Sequence, residues 1–168
     1  MDLRKYRLDE LLLVGIKNEI ESEKVYREVS ERVKDPFFKN RLEFLANEER
    51  GHRNFLENLF EKNFPKHPLK LPENSIIPLP EIRMHGESGT MRDVVAIMDD
   101  AMKAETAASD FYTSMMDLFE DEKTKQVLKY LALMEKDHYA ILKMERDQLA
   151  EVEDVMEDLS YIQLDGRY

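Results

Sequence analysis

The sequence predicts an all-α protein, a four-helix bundle of two duplicated antiparallel hairpins joined by one long crossover. Three observations carry that expectation. Only five glycines and six prolines occur in 168 residues, and five of the prolines fall between residues 65 and 80, so long helices are interrupted once. Apolar residues recur at alternating steps of three and four along four segments, the spacing of a seam that faces a bundle interior. Sliding the chain by 86 residues aligns 17–56 with 103–142 without a gap, so the two hairpins read as a duplication.

Helix one is expected from Leu8 to Lys34, where Asp35 supplies an N-cap and Pro36 the first helical position of helix two. Helix two ends near Asn63, because Phe64 to Thr90 carries Pro65, Pro68, Pro72, Pro78 and Pro80 and then Gly86 and Gly89, residues that break helices. Residues 64–90 are read as the crossover, since an extended chain covers ~3.3 Å per residue and can run back along a helix of ~40 Å. Thr90 with Asp93 is placed to cap helix three, which is expected to end near Glu120, and Asp121 to cap helix four. The hairpins thus span 8–63 and 91–150, and the acidic tail 151–168 prolongs the last helix, forms a short one or frays. Residues 1–168 fit a single domain, long enough to bury roughly 70% of its unfolded surface.

With 36 acidic against 25 basic residues the net charge is −11 and the pI is near 4.9. That sign argues against nucleic acid and anionic membrane surfaces as partners. The absence of cysteine removes disulfides, thiolate nucleophiles, Cys-ligated zinc and iron–sulfur clusters, which leaves oxygen and nitrogen donors for any redox chemistry. Residues 1–7 lead into a charged segment rather than an apolar signal region, and no run approaches the ~18 apolar residues of a membrane span. A soluble, cytoplasmic protein is expected.

The identities in the repeat include Glu19/Glu105, Tyr26/Tyr112, Glu49/Glu135 and His52/His138, and the flanking Leu42/Leu128, Leu45/Leu131 and Leu56/Leu142. The seam of helix two reads Leu42, Leu45, Glu49, His52, Leu56, Leu59, and that of helix four Leu128, Leu131, Glu135, His138, Leu142. Helix one reads Leu12, Ile16, Glu19, Glu23, Tyr26, Ser30, Val33, and helix three Met98, Met102, Glu105, Ser109, Tyr112, Met116, Phe119. Each apolar row is therefore broken midway by metal-ligand residue types. A Glu and a His three apart project from one helix face, so a single ion reaches both. Four carboxylates buried together repel one another and lose hydration, at several kcal/mol per ion unless protons or cations join them. Two divalent cations cancel four Glu charges, and imidazole donors suit iron or manganese, or a mixed pair, rather than calcium or magnesium. One E-x-x-H in a chain this rich in Glu is commonly a surface pair. Two of them, each thirty residues after a seam Glu that precedes a Tyr by seven, point to metal binding.

Tyr26 and Tyr112 lie two turns beyond Glu19 and Glu105, placed either to orient a ligand carboxylate through the hydroxyl or to pack in the core. Glu23 is the rival ligand on helix one, but its repeat mate is Ser109, which leaves it a water-linked or proton-relay role. Glu48 has Met134 as its mate and sits ~100° off the seam, so it is read as solvated. Met98, Met102, Met115, Met116 and Met134 are read as adaptable core filler rather than haem ligands.

The ordered pattern E-x6-Y, E-x2-H, E-x6-Y, E-x2-H resembles the rubrerythrin and bacterioferritin branch of the ferritin-like superfamily, over about residues 8–150. The resemblance implies a ferritin-like bundle with a non-haem diiron centre. Glu49 and Glu135 would bridge the ions, Glu19 with His52 would complete one site, and Glu105 with His138 the other. It further implies that the reduced pair reacts with hydrogen peroxide or dioxygen in protection against oxidative stress. Two departures stand out. Full-length rubrerythrins carry a Cys-rich rubredoxin module that this chain lacks, so electrons have to come from a separate donor such as a rubredoxin. The carboxylate often found one turn after the helix-three Glu is replaced by Ala108, so the resemblance carries metal binding further than it carries peroxidase activity. A ferroxidase or iron-storage role, with the acidic charge drawing in cations, is the alternative, and a structural metal that ties the hairpins together is the second. A homodimer or higher homo-oligomer is expected, with the long crossover permitting exchange between subunits.

Overall fold

Helices form along the four segments whose apolar rows repeat at helical spacing: α1 (Leu8–Arg32), α2 (Pro36–Asn63), α3 (Met91–Met116) and α4 (Glu122–Leu164). The structure, a computed structural model, describes residues 3–33, 36–73, 77 and 91–164, with the backbone alone at 91–93, 153–154 and 156–164. No strand occurs among the described residues.

Local chemistry sets the ends. The Glu10 carboxylate accepts the Arg7 amide hydrogen at 3.0 Å, satisfying one of the donors that a helix start leaves unpaired. Pro36 opens α2 as expected; the proposed cap Asp35 lies outside the described residues, as do Thr90 and residues 74–76 and 78–90 of the crossover. At α4 the Asp121 carboxylate accepts the Thr124 amide at 2.9 Å and its hydroxyl at 2.7 Å, the expected cap. The end of α3 differs from expectation, and that of α4 is one of the outcomes left open for the tail. α3 stops at Met116 rather than near Glu120, because the Leu118 and Phe119 amides turn back to the carbonyls of Met115 and Met116. That tighter turn consumes carbonyls the helix leaves free. α4 runs past Ala150 to Leu164, since no Gly or Pro interrupts 122–165 and seven of the fourteen residues 151–164 are Glu, Leu, Met or Gln, all good helix formers.

α1 packs along α2 and α3 along α4, while the hairpins approach each other closely at only a few points of α1 with α3 and of α2 with α4. The core is split in two. One apolar cluster joins Leu12 and Ile16 of α1, Leu56 and Phe60 of α2, Phe111 and Met115 of α3, and Leu128 of α4. The other joins Tyr26 and Val29 of α1, Phe38 and Leu42 of α2, Ile97 and Met98 of α3, and Leu142 of α4. The beginning of α1 therefore lies beside the end of α3, so neighbouring helices are antiparallel. The end of α2 and the start of α3 sit at opposite ends of the bundle, as a crossover requires. Between the two clusters lies a polar layer.

Candidate metal centre

That layer is built from the interruptions in the four seams. Glu19, Glu49, His52, Glu105, Glu135 and His138 are all buried, because their neighbours one turn away on each helix are the apolar residues of the two clusters. His52 Nδ1 lies 3.3 Å from Glu49 and from Glu135 and 3.6 Å from Glu19. His138 Nδ1 lies 3.2 Å from Glu49, 3.6 Å from Glu135 and 3.8 Å from Glu105. The two imidazoles stack, with centroids 5.4 Å apart and planes 17° from parallel. Two sets result, Glu19–Glu49–His52–Glu135 and Glu49–Glu105–Glu135–His138, each offering one donor atom per residue with all donors within 4.8 Å of one another. Glu49 and Glu135 belong to both.

The donors fit a metal on grounds of their own. Glu19 Oε2, both oxygens of Glu49, Glu135 Oε1 and all four ring nitrogens of His52 and His138 are buried without an aligned hydrogen-bond partner. An unsatisfied buried polar group costs about 1–3 kcal/mol, so a native layer this rich in them is unexplained until a cation is placed among them. Electrostatics agree. Burial, followed by repulsion from Glu135 and Glu49, pushes Glu19 well above the usual carboxylate range, and the same causes act on Glu105. Burial also opposes ionisation of Glu49 and Glu135, yet the close imidazoles of His138 and His52 hold both below that range. Burial disfavours the imidazolium form, but the surrounding carboxylates outweigh it, raising His52 to about 12 and moving His138 in the same direction. Four buried carboxylates need positive charge beside them, and four protons or two divalent cations would each supply it.

The tyrosines reach across hairpins. Tyr26 of α1 donates its hydroxyl hydrogen to Glu105 of α3, and Tyr112 of α3 donates to Glu19 of α1. Of the two expected roles, orienting a carboxylate is the one present, and the oriented carboxylate is the opposite hairpin's. Gly15, one turn before Glu19, makes room for this. A Cβ there would meet Leu56 Cδ1 at 3.2 Å and the Tyr112 hydroxyl at 3.5 Å.

Glu23 does not join the layer. Its carboxylate accepts from Arg27 at 2.9 and 3.0 Å and from Arg53 at 3.0 Å, with Arg50 at 3.7 Å. Glu48 differs from its reading as a solvated residue. It is half-buried and brings an oxygen within 4.8 Å of a ring nitrogen of both His52 and His138. The signal was present in the sequence, because Glu48 and His52 are four apart and share a helix face. His67 lies elsewhere, 3.2 Å from Asp9, and Ala108 is buried in the first apolar cluster, so no carboxylate stands one turn after Glu105. Met98 and Met115 are core residues, as expected.

Four antiparallel helices closed around a buried Glu/His layer define a ferritin-like bundle of metal-binding type. The chain belongs to the rubrerythrin family, whose sequence pattern it matches over residues 10–146. It is similar in structure to a hypothetical protein from Pyrococcus furiosus, with a TM-score of 0.82 and 31% sequence identity over 89% of this chain and 94% of the other. No curated protein matches the chain. Family and cluster together point to metal binding, typically of iron. Among the described residues, no helix is long and apolar enough to cross a membrane.

Proposed function

We propose that the chain is a non-haem diiron-carboxylate oxidoreductase of rubrerythrin type, whose reduced centre reacts with hydrogen peroxide or dioxygen. The observation that carries this reading is the pair of donor sets sharing Glu49 and Glu135. Two ions would be held in common by Glu49 and Glu135, with Glu19 and His52 completing one site and Glu105 and His138 the other. Iron bound there supplies two electrons together and Lewis acidity, so that hydrogen peroxide with two protons becomes two waters. The protein's own part is geometry and proton placement. Tyr26 and Tyr112 fix the two carboxylates that belong to one site each. Burial, followed by the charge of the carboxylate each one touches, raises both hydroxyls well above the usual phenol range, so they remain donors at neutral pH. The two apolar clusters exclude bulk water from both ends of the layer. With no cysteine in the chain, electrons arrive from a separate donor protein.

The test is anaerobic loading with ferrous iron, elemental analysis, and the visible spectrum before and after peroxide, for the native chain and a Glu49→Ala, Glu135→Ala double variant. Two irons per chain and peroxide consumption faster than by free ferrous iron, both lost in the variant, are expected. Absence of stoichiometric iron, or consumption no faster than by free iron, would sink the reading. If repeated ferrous additions instead accumulate ferric iron well beyond two per chain, the centre serves iron storage.

A further inference from the structure

The duplication makes the centre two-fold in its ligands, yet its two flanks are not alike. Between α3 and α4 a recess of about 140 Å³ opens to solvent and has Glu105 and Glu135 on its floor. Its rim is formed by Thr106 and Asp110 on one helix and Lys136 and Tyr139 on the other, all exposed. Ser109, on the inner wall, turns its hydroxyl away to the Ala132 carbonyl at 2.8 Å and leaves the space clear.

The shift of 86 residues carries these positions onto the α1/α2 flank, where Ser109 becomes Glu23, Lys136 becomes Arg50 and Tyr139 becomes Arg53. There the short serine is replaced by a long carboxylate, only 13% exposed, that Arg27 clasps through two nitrogens and Arg53 reaches from the facing helix at 3.0 Å. A carboxylate with little exposure that accepts three hydrogen bonds from guanidinium groups resists being pulled away, since its charge would be left without partners. The flank that would mirror the recess is thus occupied by a salt-bridge plug.

We propose that, of the two flanks related by the repeat, the α3/α4 recess admits small molecules to the Glu105–His138 half, and that Glu23 with Arg50 and Arg53 closes the equivalent route to the Glu19–His52 half. This rests on the diiron reading above. The recess of about 140 Å³ has room for peroxide, dioxygen or azide, all smaller than the benzene that a cavity of ~150 Å³ admits.

Azide association with the iron-loaded ferric protein, followed by stopped-flow absorbance, reads access without any turnover. Thr106→Trp and, independently, Asp110→Trp cover the rim from exposed positions, so iron content should be unchanged while azide association slows at least about tenfold. Grafting the open side onto the plugged one, Glu23→Ser with Arg50→Lys and Arg53→Tyr, in the Thr106→Trp background should restore the native rate. If both rim variants bind azide at the native rate, or if the graft fails to restore it while iron content is retained, one-sided access is wrong although the diiron reading stands. If native iron-loaded protein shows no azide band at all, the diiron reading falls and the port falls with it.

Discussion

A phenol hydroxyl aimed at a buried carboxylate fixes which of its oxygens stays free, and here each such pair spans the two hairpins, Tyr112 to Glu19 and Tyr26 to Glu105. Removing one hydroxyl leaves the carboxylate in place but unanchored. Tyr112→Phe should therefore weaken metal at the Glu19–His52 site by ~10–100-fold, the usual consequence of losing a residue that orients a ligand, while the Glu105–His138 site keeps its affinity. Tyr26→Phe should do the reverse. Competitive titration with a chelator checks both, and equal weakening of the two sites by either variant would contradict the cross-hairpin assignment. At this scale the burial and convergence of the six Glu and His residues were legible because each breaks an otherwise apolar row. The tyrosine partners were not, since spacing within a helix tells which face a side chain leaves by and nothing of which helix it meets. Glu48 was misread for a related reason: a step of 100° off the seam places it at the seam's edge, and from there its carboxylate still reaches the histidines.

At the scale of the element, the helices follow from the spacing of apolar residues, and their ends follow from individual side chains. Asp121 accepts both the amide and the hydroxyl of Thr124, and these bonds hold its carboxyl below the usual range. Asp121→Ala should lower the thermal midpoint without altering metal stoichiometry, and thermal melts of the loaded protein would read this. Gly15 makes the opposite kind of prediction. Glycine inside a helix is less favourable than alanine by roughly 0.5–1 kcal/mol, so its presence in α1 needs a local reason, and the close passage of Tyr112 and Leu56 supplies one. Gly15→Leu should displace Tyr112 from Glu19 and reproduce the Tyr112→Phe binding defect, an outcome that a merely propensity-driven effect would not produce. The end of α3 was not legible because Leu118 and Phe119 continue the apolar row after the backbone has already turned. The length of α4 was left open by composition, because a tail of good helix formers extends a helix with or without a surface to pack on, and Val152 and Val155 remain exposed along it.

Seen as a whole molecule, the bundle has two apolar ends and an ionisable middle through which side chains join the hairpins, and this makes its stability depend on what neutralises the middle. Without metal the neutralising agent is protons. Glu19 and Glu105 have raised pKa values, and so do His52 and His138. For every group raised on folding, the stabilisation is complete below the unfolded value and is lost as pH climbs toward the folded one. The histidine contribution therefore begins to fall above ~6.5, on top of the loss already begun above the ordinary carboxylate range for Glu19 and Glu105. The lowered Glu49 and Glu135 act the other way, but theirs is gained below neutrality, once pH passes the usual carboxylate value, and it stays constant thereafter. The metal-free protein should accordingly melt at progressively lower temperature as pH is raised from about 6 to 9. Bound divalent cations remove that slope, because they displace the same protons. At free metal about a hundredfold above its dissociation constant each ion adds ~2.7 kcal/mol, or about 5–10 °C per ion for a chain of this size. Calorimetric melts with and without chelator across that pH range test this, together with titrations in buffers of different ionisation enthalpy that count the protons released. A metal-free protein whose melting point holds steady from pH 6 to 9, or loading that releases no protons, would mean that the buried layer is not neutralised in the way its geometry requires.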